Sequence, residues 1–342
     1  MPLRDIQSLC DYWANRYDWR RCEAMLNGFG QYRTTIDAVD IHFLHVRSVE
    51  ANALPLLLTH GWPGSVIEFS KVVGPLTDPA AHGGDPSDAF DVIVPSLPGY
   101  GFSGKPTGAD WSFKTIARAW IKLVRRLGYD RFAAQGGDWG AAITTELAIL
   151  APPELKAIHL TMAAAFPDPD EVASLTEREK KSLADLADNV RFGRGYSEQQ
   201  RTKPQTLGYS LADSPAGQAA WIYDKFRDWS DCDGDPLNSY SPDDLLDNIM
   251  LYWLPNNGAS AARLYAAEWP ADWTGGALPP LSVPVGFSIF PKEIYRPSRR
   301  WVERKYGPLM HWNELAHGGH FAALESPSSF VDEMRVCFRA LR

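Results

Sequence analysis

The stretch FAAQGGDWGAAITTELAIL, residues 132–150, sets a short apolar run against a glycine-rich turn and then a helical pattern. Phe132 to Gln135 has the length and composition of a buried strand, and Ala141 to Leu150 repeats apolar residues at helical spacing. Between them, Gly136-Gly137-Asp138-Trp139-Gly140 has the form G-x-Nu-x-G, a tight turn that projects one side chain above a sheet. Small residues flank that side chain because the turn is strained and crowded. The helix that starts there favours negative charge, which suits a carboxylate. The other reading is a surface turn whose Asp caps the next helix.

The alternation of strand, loop and helix extends outward from this turn. Val39 to Val46 alternates apolar with polar residues, as a half-buried strand does. Leu54 to Thr59, Phe90 to Val94, Leu155 to Leu160 and Val283 to Phe290 are short apolar runs. Phe113 to Leu127 reads as a helix with Ser112 as its N-cap. This is the signature of an α/β protein with a mostly parallel central sheet flanked by helices. The first 36 residues read as helical pieces, with Trp13, Tyr17, Trp19, Met25 and Leu26 as apolar contacts. Phe321 to Leu341 reads as a closing helix. Between about Ala163 and Leu278 the strands lapse into helical sequence rich in Trp and Tyr. The expected organisation is a core over 1–162 with an N-terminal meander, a helical cap over 163–278 between strands 6 and 7, and the rest of the core over 279–342.

Composition narrows the function classes. Lys plus Arg number 34 and Asp plus Glu 42, so the formal charge is −8, and no basic run marks a nucleic-acid surface. Cys10, Cys22, Cys232 and Cys337 share no metal-ligand spacing. No apolar run reaches the roughly 18–20 residues of a membrane span. The expectation is a soluble, cytoplasmic enzyme without membrane or nucleic-acid partners. A homo-oligomer is compatible with this sequence.

Asp at the elbow in place of Ser changes the chemistry. Serine attacking a saturated carbon leaves an ether, whereas a carboxylate leaves an ester that a second, activated water can cleave. Asp138 therefore points to an sp3 electrophile, an epoxide or an alkyl halide. In enzymes with such an elbow, an acid and then a His follow in the chain. His317-Gly318-Gly319-His320 precedes the last helix, and His320 is the candidate base. Glu293 in Phe290-Pro291-Lys292-Glu293 is the candidate acid that orients it, with Asp168 and Asp170 as alternatives. Two His three residues apart could also be metal ligands, but no further His or Cys cluster supports a metal. His60-Gly61-Trp62-Pro63-Gly64 follows a strand and matches the loop that supplies an oxyanion-binding N–H. The candidates are the backbone N–H groups of Trp62 and Trp139.

Taken in order, these segments resemble the microsomal-type epoxide hydrolases of the α/β-hydrolase superfamily. The matching stretches run from Trp19-Arg20 through Asp40-Ile41-His42-Phe43, HGWPGS (60–65), PSLPGYGFS (95–103) and GGDWG (136–140). They continue through TKPQTLGY (202–209), DSPAGQAAWI (213–222), FPKE (290–293) and HGGHFAALE (317–325). The resemblance implies an α/β-hydrolase fold, an epoxide and water as reactants, no cofactor and no metal, with detoxification among the roles. It also implies two cap tyrosines that hydrogen-bond the epoxide oxygen. Gly195-Tyr196 and Arg263-Leu264-Tyr265 match their sites, which makes Tyr196 and Tyr265 the candidates. Family members usually carry further sequence before the first matching segment, in some cases a membrane anchor. This chain starts later and carries no anchor, so a soluble enzyme is expected.

A haloalkane dehalogenase would use the same Asp, with the Trp139 indole binding halide. A catalytically silent binding module on the same scaffold is the other competing reading. Two motifs read as decoys. Gly99 to Gly104 fits G-x-G-x-x-G but opens no helix. Asp231 to Asp235 lacks the ligands of a calcium loop.

Overall fold

In the computed structural model, which describes residues 1–108, 110–268 and 277–342, the apolar runs join one eight-stranded sheet. Its strands are β1 (Gln31–Ile36), β2 (Val39–Val46), β3 (Leu54–Thr59), β4 (Phe90–Pro95), β5 (Phe132–Gly136), β6 (Leu155–Leu160), β7 (Val285–Ile289) and β8 (Leu309–Glu314). The order is β1-β2-β4-β3-β5-β6-β7-β8. The β1–β2 and β2–β4 pairs are antiparallel, and all others are parallel. Every residue of β3 and β5 is buried, as expected where helices cover both faces. The chain leaves β3 toward β4 on one side and returns to β5 on the other. The loops after β3 and β5 diverge there, which is where open α/β sheets form their crevices. The Thr59–Gly136 register sets those two loops side by side.

Local signals explain the covering helices. In the helix Phe113–Arg126, Ser112 accepts a hydrogen bond from the Thr115 N–H, and Ile116, Ala117, Trp120, Leu123 and Val124 form its buried stripe. The helix Asp138–Leu150 starts at the elbow itself, three residues earlier than its apolar pattern. Between β6 and β7 the described residues are helical wherever they are regular. They include Glu177–Asp188, a π-helical turn at Asn189–Gly193, Gly195–Thr202, Pro204–Asp213, Pro215–Trp229, Pro242–Trp253 and Gly258–Ala267. Part of the expected cap, 269–276, lies outside the described residues. No described helix is long and apolar enough to cross a membrane.

Three expectations need correction. The N-terminal helices end at Gly28, and Gln31–Ile36 is a strand. It pairs with β2 alone and is largely exposed, so no buried face imposes an apolar alternation. The edge strand β8 was equally unmarked, because each of its residues is half-buried or exposed. The closing helix is broken into Ala322–Glu325 and Pro327–Phe338, since Pro327 lacks an N–H and holds Ser326 out of helical geometry (φ −133°, ψ 56°).

The first two helices, Leu3–Asn15 and Trp19–Gly28, clasp the inserted helix Pro242–Trp253. The Tyr17 hydroxyl donates to Asp247 Oδ1 at 2.8 Å, Arg21 reaches Asp247 at 2.6 Å, and Tyr12 donates to Asp243 at 3.0 Å. The Trp13 and Trp253 rings meet edge to face at 6.5 Å. The Asp247 side chain is 5% exposed and that of Arg21 is 45% exposed. A fully buried pair loses about 3–5 kcal/mol when one partner is removed, and the half-exposed Arg21 scales this down. Asp247→Ala is expected to lower the unfolding free energy by about 2 kcal/mol in urea titrations, and Asp247→Asn by less. A loss below about 0.5 kcal/mol would mean that the clasp contributes nothing.

Candidate active site

Asp138 stands at φ 48°, in the left-handed region that non-glycine residues rarely adopt. Tight packing holds it there. A Cβ on Gly140 would collide with the carbonyls of Thr59 and His60, so only glycine lets the new helix lie this close to the end of β3. The turn delivers the Asp138 carboxylate into the loop after β3, where Oδ1 accepts the Trp62 N–H at 2.8 Å. His60 has a different task. Its ring lies between Gly61 O (2.9 Å from Nδ1) and the Leu97 N–H (3.2 Å from Nε2). Burial lowers its pKa to about 4, so it is a neutral brace for the loop.

Two loops beyond β7 and β8 complete the arrangement. Lys292 and Gly319 form a parallel bridge, and the Lys292 N–H donates to Gly318 O. This zips the loop of Glu293 to that of His320. His320 Nδ1 lies 2.7 Å from Glu293 Oε1, which also accepts the Ile294 N–H at 2.7 Å. His320 Nε2 lies 3.5 Å from Asp138 Oδ2. Burial alone would lower the His320 pKa, but the carboxylates of Glu293 and Asp138 override it and raise the pKa well above its usual value. His317 is exposed, and neither it nor His320 belongs to a metal-ligand cluster among the described residues. Asp168 caps the Pro169–Ser174 turn and pairs with Arg304 at 3.0 Å, away from the imidazole's partners. Asp170 lies in the same exposed turn.

A cavity of about 360 Å³ opens above Asp138. Tyr196 and Tyr265 line it together with Trp139, Met162, Phe166, Leu186, Val190, Ile294 and Tyr295, while Arg194, Glu198, Arg201 and Glu268 add polar groups. The Tyr196 ring stacks on Trp62 at 4.9 Å and 9°. Tyr265 meets Trp139 edge to face at 4.6 Å and Tyr196 at 6.0 Å. Burial and the charge of Asp138 push both phenols up, so both are neutral donors at neutral pH. The two phenol groups act on each other across the cavity.

Both decoy motifs have structural roles. Ser260 donates to Gly99 O, Asn257 to Gly101 O and Tyr100 to Ala261 O, so the glycine loop anchors the helix that carries Tyr265. Asp231 accepts the Gly318 N–H at 3.0 Å and thereby positions the His320 loop. Sequence reasoning missed two groups. Lys225 sits 4.9 Å over the Tyr196 ring, and its helix carries no signal for this. Glu68, three residues beyond the HGWPGS match, feels the charges of His320, Asp138 and Glu293. Elsewhere, His159, His311 and Glu333 gather in the core. Glu333 already accepts hydrogen bonds from His311, Asn313 and Ser288, so the cluster is closed on itself.

Comparison with known proteins adds to this geometry. Residues 1–69 match a family model described as the epoxide hydrolase N terminus, and residues 55–209 match one for the alpha/beta hydrolase fold. A protein of Stigmatella aurantiaca (strain DW4/3-1), provisionally named an epoxide hydrolase, is 54% identical over 342 residues, covering 100% of this chain and 77% of that one. Epoxide hydrolase 1 of Oryctolagus cuniculus is 36% identical over 349 residues, covering 94% of this chain and 77% of the relative. The solved structure of the Aspergillus niger epoxide hydrolase superposes with a TM-score of 0.88 at 31% identity, over 100% of this chain and 86% of the other. Juvenile hormone epoxide hydrolase of Bombyx mori superposes with 0.90 at 30% identity, over the same shares.

The buried acids make stability depend on pH in a defined direction. Burial pushes Glu68 up to about 8 and Glu268 and Glu325 up to about 7, and His320 is also raised. Above pH 6.5 these groups hold protons in the folded chain that the unfolded chain has released, so their stabilisation is lost as pH rises. His42, His45, His60 and His159 are shifted down, so they act in the opposite direction, but only around the unfolded imidazole pKa of about 6.5 and little above it. The urea midpoint is expected to fall between about pH 7 and 8.5. A rise over that window would contradict the burial of these carboxyls.

Proposed function

This chain belongs to the epoxide hydrolases, and from that premise we propose that it opens its substrate through a covalent ester on Asp138, which water then cleaves to release a vicinal diol. The observation that carries this reading is the Asp138 carboxylate itself. One oxygen is held by the Trp62 N–H and the other faces His320, in a cavity shared with Tyr196 and Tyr265.

In the first step Asp138 Oδ2 attacks one epoxide carbon. The C–O bond breaks, and the departing oxygen takes a proton from Tyr196 or Tyr265. The phenols favour an epoxide over an alkyl halide, because halide leaves without needing a proton. In the second step His320 accepts a proton from water, and the water oxygen bonds to Asp138 Cγ. The carbonyl electrons move onto the oxygen held by the Trp62 N–H, with the Trp139 N–H as the second candidate donor to it. On collapse the Cγ–O bond to the substrate breaks, and the departing diol oxygen takes the remaining proton of the attacking water, which restores the Asp138 carboxylate. No cofactor enters.

Charge explains why the steps occur in this order. Two carboxylates raise the His320 pKa in the resting enzyme and favour imidazolium. Alkylation turns Asp138 into a neutral ester and removes one of those charges. The imidazole then releases its proton, which returns to the tyrosinate left by ring opening, and becomes a base when a base is required. Glu293 remains to orient it. Residues 163–278 act as the cap that brings Tyr196 and Tyr265 over the nucleophile.

The test is a single turnover with styrene oxide in oxygen-18 water. Label in Asp138 and none in the diol is the expected outcome, whereas labelled diol over an unlabelled Asp138 would mean direct attack by water. Asp138→Ala should abolish diol formation. His320→Gln should form the ester but slow its hydrolysis by about 10²–10⁴-fold, so that intact-mass spectra show the alkylated chain. Replacing both tyrosines by Phe should suppress ester formation itself.

A further inference from the structure

The helix Pro215–Trp229 turns a cation toward the cavity. Gln218, Ala219, Ile222, Tyr223, Phe226 and Trp229 form its buried face, and Lys225 lies among them, 4% exposed. A lysine is almost never this buried unless something holds its charge. Among the described residues its ion-pair partners are Asp224 at 2.7 Å and Asp228 at 3.8 Å, whose side chains are 34% and 48% exposed. Acids this open to water need no buried lysine. The ammonium itself is directed at aromatic faces: Nζ lies 4.9 Å from the centre of the Tyr196 ring and 5.5 Å from that of Trp229.

The Tyr196 ring cannot move away from that charge. Trp62 stacks on it at 4.9 Å, and two groups cannot share one face at this distance, so Lys225 and Trp62 lie on opposite faces. Trp229 closes the edge at 5.3 Å. Trp62 is itself held, because Tyr252 of the inserted helix Pro242–Trp253 donates to Gly64 O at 2.6 Å and Asn248 donates to Pro63 O at 2.8 Å. Tyr265 has different surroundings. Its ring meets Trp139, Trp62 and Tyr196, and the groups that act on it, Tyr196, Asp138 and Tyr100, all oppose its ionisation. Arg194 favours the ionisation of Tyr196. The two phenols that share the cavity therefore differ in where the cations stand.

We propose that the Lys225 ammonium stabilises the Tyr196 phenolate formed on ring opening, and so makes Tyr196 rather than Tyr265 the group that protonates the departing oxygen. The proposal rests on the ester reading above and concerns its first step. Asp138 Oδ2 bonds to an epoxide carbon, the C–O bond breaks, and the Tyr196 hydroxyl proton passes to the freed oxygen. The negative charge that leaves Asp138 thereby arrives on Tyr196. Over a neutral phenol a cation gains only the attraction of the ring quadrupole. Over a phenolate in a dry site it meets a full opposite charge, so the interaction strengthens as the reaction proceeds and accelerates it. Lys225 keeps its own proton throughout and acts only through Tyr196, as a positioning residue.

The experiment separates the two steps by rapid mixing with styrene oxide. Ester formation is followed by intact mass after acid quench, and hydrolysis by its decay in single turnovers. Lys225→Met removes the charge at similar length. It should slow ester formation at least about thirtyfold and leave ester decay within about threefold of the parent chain, which also reports a folded site. Lys225→Arg restores a cation and should form the ester within about fivefold of the parent chain. Added to Tyr196→Phe, Lys225→Met should cost less than about threefold more, whereas added to Tyr265→Phe it should keep its full effect. Tyr196→Phe alone should slow ester formation more than Tyr265→Phe, a comparison that leaves Lys225 in place and stands even if the Met variant fails to fold. Equal slowing of both steps, unchanged ester formation in Lys225→Met, an effect that survives Tyr196→Phe, or a larger loss in Tyr265→Phe than in Tyr196→Phe would each overturn the role of Lys225. Absence of any ester in the parent chain would instead overturn the reading on which it rests.

Discussion

A single backbone conformation supports the chemistry of this chain. Asp138 at φ 48° is a strained residue, and such strain costs on the order of 1–3 kcal/mol. It persists because the parallel pairing of β3 with β5 sets Thr59 against Gly136, and the helix that follows must pass the carbonyls of Thr59 and His60. Relaxing the turn would drive that helix into β3. The strain thus places a carboxylate where the loop after β3 can offer it an N–H. The remaining groups, His320, Glu293 and the two tyrosines, are arranged around a point that the sheet has already determined.

Around that point the protein concentrates acids in a dry space. Asp138, Glu293 and Glu68 lie within electrostatic reach of one imidazole. Such crowding is unfavourable unless charges can be neutralised or shared. The fold uses three means: a charged His320 between two carboxylates, backbone N–H groups on Asp138 and Glu293, and a Glu68 that burial holds toward its neutral form. The balance is specific to the resting state. Any reaction that consumes the charge of Asp138 alters it, and the proton on His320 is the most responsive part.

The sequence was legible where side-chain identity and chain position coincide. The elbow announced itself through glycines around an Asp between an apolar strand and a helix. Glu293 could be named because it follows the last apolar strand read in the sequence, and His320 because it precedes the closing helical stretch; the structure places them 2.7 Å apart. Tyr196 and Tyr265 could not be singled out from thirteen tyrosines by pattern, since helical spacing says nothing about what lies across a cavity. β1 and β8 escaped because edge strands bury too little to impose alternation. Glu68 escaped for a different reason. Its surroundings are made by the absence of a side chain at Gly64, four residues away, and by the His320 loop more than 250 positions along the chain.

The clasp of the first two helices on Pro242–Trp253 bears on the order in which the molecule is assembled. Arg21 and Asp247 are 226 positions apart, so the first two helices must wait for most of the intervening chain before finding their partner. Contacts this distant in sequence are slow to form and weigh heavily on the folding rate. Closing them last would seat the helix that holds the loop after β3 only once the sheet beneath it exists. The loop that binds Asp138 would then be tied to two helices more than 200 positions away in sequence, and loosening those helices would reach the inserted helices before it reached the sheet.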